Sequence, residues 1–161
     1  FLAQDALKIA TTIDMNNLRR SLCHLDFVNK NIIFDNTEDL WVIDFDKCKI
    51  DYCVHDIAYF LRRIMKRDNT KWDLQLAINS LNIYEKNRPL NLDEYKYLLV
   101  YLAFPQKYWK ISRDYYNNIR KCNKNSFVIL LNKAVEKNEY QIQFVKEFKE
   151  FIEKKFDVKI P

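Results

Sequence analysis

The sequence predicts a mainly α fold with one small β hairpin, an α+β arrangement, and three observations carry that reading. Apolar residues recur at three- and four-residue spacing in one stretch after another, which is the period of helices that bury one face. Two short apolar runs, Ile32-Ile33-Phe34 and Leu40-Trp41-Val42-Ile43, flank the polar segment Asp35-Asn36-Thr37-Glu38-Asp39, which is the pattern of a hairpin. At 161 residues, 48% hydrophobic and 15% aromatic, the chain can bury one core and suits a single domain or a large lobe.

In chain order, Leu2, Ala3, Ala6, Leu7, Ala10 and Ile13 stand at helical spacing and predict a helix from Phe1 to about Arg20. A polar loop follows, from His24 to Asn31, and then the hairpin, whose first strand reads as buried. Lys47 to Tyr52 reads as an irregular connection. The next helix carries Ile57, Phe60, Leu61, Ile64 and Met65 as its apolar stripe and Arg62, Arg63, Lys66 and Arg67 on its other face, the composition of a solvated basic surface.

Asn69-Thr70 is a plausible cap for a helix bearing Trp72, Leu74, Ala77, Ile78 and Leu81, which must end before Arg88-Pro89 because a residue preceding proline disfavours the helical region. Asn91 with Glu94 three residues on reads as a capping box opening a helix from Leu92 to Phe104, with Tyr95, Leu98, Leu99 and Leu102 inward. Pro105 suits the first position of another helix, to about Asn118, with Tyr108, Trp109, Ile111, Tyr115 and Tyr116. Asn117 to Asn125 is loop-like. The remainder holds two amphipathic stretches, Phe127 to Val135 and the stripe Phe144, Val145, Phe148, Phe151, Ile152 and Phe156, which reads as a structural cap.

The chemistry concentrates at the hairpin. A hairpin brings its outer ends together, so Asp26, Asn31 and Asp44 converge on one edge of a small sheet. Phosphoryl transfer asks little covalent chemistry of a protein: a carboxylate to orient or deprotonate the acceptor hydroxyl, and hard oxygen ligands to hold magnesium against the phosphates. Asp26 fits the first task, and Asn31 and Asp44 fit the second. His24, two residues from the catalytic carboxylate, orders the loop.

The pattern His24-x-Asp26-x4-Asn31, an apolar hairpin and then Ile43-Asp44-Phe45-Asp46 resembles the catalytic and metal-binding segments of the aminoglycoside phosphotransferase and choline kinase group, relatives of the protein kinases. The stretches from Asp56 to Lys66 and from Phe104 to Lys110 more narrowly resemble CotS-type spore coat proteins of endospore-forming bacteria, so that the resemblance covers most of the chain. It implies a protein-kinase-like C-terminal lobe over residues 1–161, with the N-terminal nucleotide-binding lobe outside this chain. By it Asp26 would be the catalytic base, Asn31 and Asp44 the Mg2+ ligands, Asp56 a buried acid bracing the loop, and ATP the co-substrate. The acceptor would be a small molecule with a hydroxyl, bound by the helical part after Asp44, which makes Asp46, Tyr108, Trp109 and Asp114 the neighbours to test. Other spore coat proteins would be partners, and the cytoplasm or the spore coat the location.

Two departures from the family pattern stand out. Leu25 occupies a position usually held by glycine, so the loop is expected to keep an ordinary backbone there. There is no glycine at all, hence no glycine-rich phosphate loop, nor any strand lysine paired with a helix glutamate. With Phe1 in place of a methionine, the chain reads as the carboxy-terminal piece of a longer protein and is expected to be inactive alone. The rival reading is a kinase-shaped coat protein that binds other coat proteins and does no chemistry. A metal-dependent hydrolase is weaker, since two histidines supply few ligands.

Composition narrows the partners. A net charge of +5, from 27 basic and 22 acidic residues, is mild and spread along the chain, so nucleic acid is not implied. Cys23, Cys48, Cys53 and Cys122 form no Cys-x-x-Cys pair, which points to reduced thiols and a cytosolic origin. No apolar run approaches the roughly 20 residues of a bilayer span, and no signal peptide is visible.

Overall fold

The computed structural model describes residues 2–37, 39–118, 123–136 and 139–161, with backbone alone at 134 and 136. Cys122 and the middle of the Asn117–Asn125 segment lie outside the described residues. Helices dominate: α1 (Leu2–Ala10), α2 (Cys53–Met65), α3 (Leu74–Glu85), α4 (Leu92–Ala103), α5 (Gln106–Asn117), α6 (Lys124–Glu136) and α7 (Glu139–Phe156). Among the described residues, four short strands make two antiparallel pairs. β1 (Arg20–Cys23) pairs with β4 (Lys49–Tyr52), Leu22 facing Ile50, and β2 (Ile32–Phe34) pairs with β3 (Leu40–Val42), Ile33 facing Trp41.

The fold is built around α4. The Asn91 side chain accepts from the Glu94 backbone N–H while the Glu94 carboxylate accepts from that of Asn91, the reciprocal capping box expected from the sequence. Tyr95, Leu98, Leu99 and Leu102 are fully buried along it, in contact with α1, α2 and α7. Phe144, Phe148 and Ile152 of α7 close the same core, so the phenylalanine stripe is a structural cap. Each such side chain contributes about 1.5–3 kcal/mol by burial.

The first helix stops at Ala10 rather than near Arg20. Thr11 and Thr12 turn their hydroxyls onto the carbonyls of Lys8 and Ile9, a bond that competes with continuing the helix. Asp14 then accepts the Asn16 N–H and caps a separate 3-10 turn, Met15–Asn17. The inward residues of α1 are Ala6 and Ile9, and Leu7 is exposed. The released segment is pinned to the start of α4. Asp93 accepts from Asp14 N–H and Asn17 Nδ2, and the fully buried Glu94 takes Arg19 through Nε at 2.8 Å and Nη2 at 2.6 Å.

Four further expectations are corrected. Lys47–Tyr52 is not irregular, because residues 49–52 form β4 against a strand about thirty residues earlier. Arg62 is buried rather than on the basic face of α2, since its Nη1 donates to the carbonyls of Tyr101 and Phe104 at the end of α4. The cap of α3 is Asp73, accepting from Leu76 N–H; Thr70 instead donates its hydroxyl to Ile64 and Met65 at the end of α2. The β2–β3 hairpin is exposed, not buried, with Phe34 69% and Trp41 60% accessible. Its turn is locally held, for Asp35 accepts from Thr37 and from the indole N–H of Trp41, which hold its carboxyl down to about 2.

Because Glu94 serves both the cap and the partly exposed Arg19, Glu94→Ala is expected to lower unfolding stability by about 2–3 kcal/mol, the scale of a lost cap together with a charged hydrogen bond. Glu150→Ala, on the exposed face of α7, is expected to stay within about 0.5 kcal/mol. Urea denaturation of both variants measures the contrast.

Candidate functional site

The segment from His24 to Asn31 crosses from the end of β1 to the start of β2, closed by a 3-10 turn at Asn29–Asn31. Its backbone is set from α2. The half-buried Asp56, in the first turn of that helix, accepts from the His24 N–H at 2.6 Å and the Leu25 N–H at 2.8 Å, one with each carboxylate oxygen. Leu25 takes φ 58°, a left-handed conformation, so the expectation of an ordinary backbone there is overturned. That geometry costs a non-glycine residue about 1–2 kcal/mol. The two charge-assisted bonds to Asp56 offset it.

His24 joins the loop to the hairpin. Its Nδ1 accepts from the Asp26 N–H at 3.2 Å, which leaves Nε2 as the protonated nitrogen that donates to the Ile43 carbonyl at 2.9 Å. The ring is buried and lies against Phe45, with centroids 4.9 Å apart. The other cross-link runs through Asn31. Its Nδ2 donates to the Asp26 carbonyl at 2.9 Å and its own carbonyl accepts from the Ile43 N–H at 3.0 Å. Since Nδ2 is used internally, the amide oxygen is the atom that can meet a cation.

Asp26, Asn31 and Asp44 are thereby brought together, as the sequence order implies. Asp26 is nearly buried, and three donors reach its carboxylate: Lys47 Nζ at 3.0 Å and Lys30 Nζ at 3.7 Å on Oδ2, and the Tyr59 hydroxyl at 3.2 Å on Oδ1. The Lys47 bond, aided by Tyr59 and Lys30, holds the Asp26 carboxyl below its usual range, and Asp26 in turn raises the Lys47 ammonium. Burial first, then Asp26, raises the Tyr59 phenol, which stays a neutral donor. Asp44, at φ 69°, is more open, with Lys30 Nζ 3.8 Å from its Oδ2.

Chemically this is an ionised, oriented carboxylate beside a second carboxylate and an amide oxygen. Among the described residues no group of three or more His, Cys, Asp or Glu could hold a metal, so a cation here would rest on Asn31 and Asp44 together with phosphate and water oxygens. That sparse, all-oxygen set suits magnesium, which keeps several waters and takes one or two protein carboxylates. Sequence pattern alone does not single out Lys30, Lys47 or Tyr59. Tyr59 had a signal, since it stands three residues after Asp56 and shares its helix face.

Among the described hydrogen bonds and ion pairs, none joins the remaining candidates to Asp26, Asn31 or Asp44. Asp46 is exposed on the loop after Asp44. Tyr108, Trp109 and Asp114 are exposed on α5, whose described contacts run to Phe104 and to α6, where Tyr115 stacks on Phe127 at 3.9 Å between centroids. Arg113 covers Trp109 at 4.6 Å and pairs with Asp114. Behind the loop, an apolar cavity of about 430 Å³ lies between β1, α2 and α3, lined by Phe27, Ile57, Phe60 and Leu81. Cys23 lines it too, its thiol pushed up to about 11 by burial and by Asp56, which makes it unreactive.

Leu25→Gly is expected to be more stable than Leu25→Ala by about 1 kcal/mol, reversing the usual order, because only glycine accepts φ 58° freely. Chemical denaturation compares the two, and an Ala variant as stable as the Gly one would rule out the left-handed loop. Lys47→Met is expected to move the Asp26 carboxyl up toward the usual carboxylate range, followed by NMR titration of its side-chain carbon. Because the folded carboxyl titrates below its unfolded value, Asp26 stabilises the fold above about pH 4 and loses that contribution as pH falls through its folded value. Lys47→Met therefore shrinks the acid-side loss.

A family model described as a phosphotransferase enzyme family matches residues 2–90, more than half of the chain, from α1 through α3 with both strand pairs. The solved structure of the aminoglycoside phosphotransferase from Alicyclobacillus acidocaldarius subsp. acidocaldarius DSM 446 matches with a TM-score of 0.75 at 21% sequence identity. The match covers 95% of this chain and 47% of that one, so this chain spans about half the length of that structure. Loop, hairpins and helical core thus share the fold of a known phosphotransferase, and the chain belongs to the phosphotransferase enzyme family.

Proposed function

We propose that the full-length protein transfers the γ-phosphoryl group of ATP, with magnesium, to a hydroxyl of a small molecule. The convergence of Asp26, Asn31 and Asp44, held by backbone bonds from Asp56 and His24, is the observation that carries this reading. Asp26 receives and orients the acceptor O–H. With its carboxyl held low it is a weak base, suited to aligning the hydroxyl and taking its proton as the new bond to phosphorus forms. To do so it exchanges the Lys47 bond for the acceptor, while Tyr59 keeps the other carboxylate oxygen in place.

Asn31, through its amide oxygen, and Asp44 are the residues that would hold magnesium. The ion would supply positive charge against the phosphates. His24 fixes the distance between the two halves of the site, because one ring contacts the Asp26 backbone and the Ile43 carbonyl next to Asp44. A setting in the spore coat, with other coat proteins as partners, rests on the CotS-like stretches 56–66 and 104–110. The second of these opens α5, where Tyr108 and Trp109 offer exposed rings to a partner or an acceptor.

Calorimetry of ATP binding to the full-length protein, with and without magnesium, tests the proposal without knowledge of the acceptor. Binding is expected only with magnesium, weakened at least about tenfold in Asp44→Ala by loss of a charged ligand. Absence of nucleotide binding in both proteins would sink the kinase reading in favour of a coat scaffold.

A further inference from the structure

From its place between the two acids, we infer that Lys30 is the cation that meets the γ-phosphoryl group, an assignment resting on the phosphotransferase reading. Its ammonium lies 3.7 Å from Asp26 Oδ2 and 3.8 Å from Asp44 Oδ2, and so touches both the acid that orients the acceptor and the acid assigned to magnesium. Lys47 reaches the same Asp26 oxygen at 3.0 Å but has no such bridge to Asp44 among the described ion pairs.

The position of Lys30 is fixed by the backbone. The 3-10 turn Asn29–Asn31 reverses the loop, and the Ile43 N–H bond to the Asn31 carbonyl extends the β2–β3 register by one residue. Lys30 then stands opposite Asp44, four residues after Asp26. A phosphoryl group passing from a nucleotide held at Asp44 to a hydroxyl held at Asp26 must cross the space where this ammonium sits. Without nucleotide, Lys30 is the internal counterion of the two acids.

With nucleotide, phosphate oxygens become its partners, and it opposes the charge that spreads over the equatorial oxygens in transfer. The acceptor oxygen forms its bond to phosphorus as the bond to the bridging oxygen breaks, and ADP leaves with that electron pair. The hydroxyl proton goes to Asp26, and Lys30 keeps its own proton throughout.

The test is calorimetry of Mg·ATP and Mg·ADP on the full-length protein, wild type, Lys30→Gln and Lys30→Arg, with a thermal melt of each. Lys30→Gln is expected to lower the preference for Mg·ATP over Mg·ADP about tenfold or more, the scale of a charge-assisted bond, with the melting midpoint unchanged. Lys30→Arg should restore most of the ATP preference. If Lys30 is only a counterion of the acids, its removal tightens both nucleotides alike, and that result, or an unaltered ATP to ADP ratio, overturns the assignment. A wild type that binds neither nucleotide defeats the phosphotransferase reading itself, which separates the two failures.

Discussion

The grip of one carboxylate on two backbone N–H groups sets the rest of the site. Asp56 binds His24 and Leu25 from the first turn of α2, and everything around Asp26 follows from it. With the two amides held, Leu25 is pushed into the left-handed region, the chain turns sharply, and the Asp26 side chain comes to lie near Tyr59, one helical turn along from Asp56. A leucine there is a strained choice, tolerated because its surroundings over-determine the backbone. The same turn brings the Asp26 N–H onto His24 Nδ1, and the opposite nitrogen of that ring then carries the constraint across to Ile43. Thus a single helix residue orders a loop, an imidazole tautomer and the spacing of two acids.

That helix must itself be held firmly, and α4 is what holds it. Two consecutive acids at the N-terminus of α4, Asp93 and Glu94, complement the helix dipole and anchor the segment from Asp14 to Arg19, which leads directly into β1. At its other end, the last carbonyls of α4 are met by the Arg62 guanidinium of α2, an internal substitute for a C-cap. Burial pulls that guanidinium below its ordinary value, yet a group that starts so high stays charged at neutral pH. The His24–Asn31 loop is therefore suspended between α2 and β1, both tied to one helix whose inward face is fully buried.

How much of this the sequence reveals depends on the range of the interactions. The capping box and buried face of α4, the stripe of α7 and the order Asp26, Asn31, Asp44 are local patterns, and each is legible within a few residues. The end of α1 is also local, but it turns on Thr11 and Thr12 side chains bonding backward, which apolar spacing alone does not weigh. β1 and β4 mix charged and polar residues with apolar ones instead of forming an apolar run, and each becomes a strand only because the other is there. Arg62 looks like surface until the carbonyls of Tyr101 and Phe104 arrive from another helix. Leu25 misleads for a related reason: absence of glycine suggests absence of a left-handed residue, whereas tertiary bonds impose one regardless.

The charges about Asp26 follow the same logic of range. Lys30 and Lys47 stand four and twenty-one residues away in sequence, yet both face one carboxylate oxygen, while Tyr59 keeps the other. A nearly buried acid with such company stays ionised and oriented at the cost of basicity, which under the proposed function would suit it to alignment rather than strong proton abstraction. That is the demand of phosphoryl transfer, in which little proton driving force is needed and the phosphate charge must be opposed at every point along its path. Both lysines are side chains on the open face of the site, free to exchange a carboxylate for a phosphate, whereas the histidine, the amide and the backbone bonds beneath them are buried and fixed. The site thus pairs a buried frame with exposed counterions, a division of labour that, under the proposed function, would let one geometry accept a highly charged donor without rearranging its backbone.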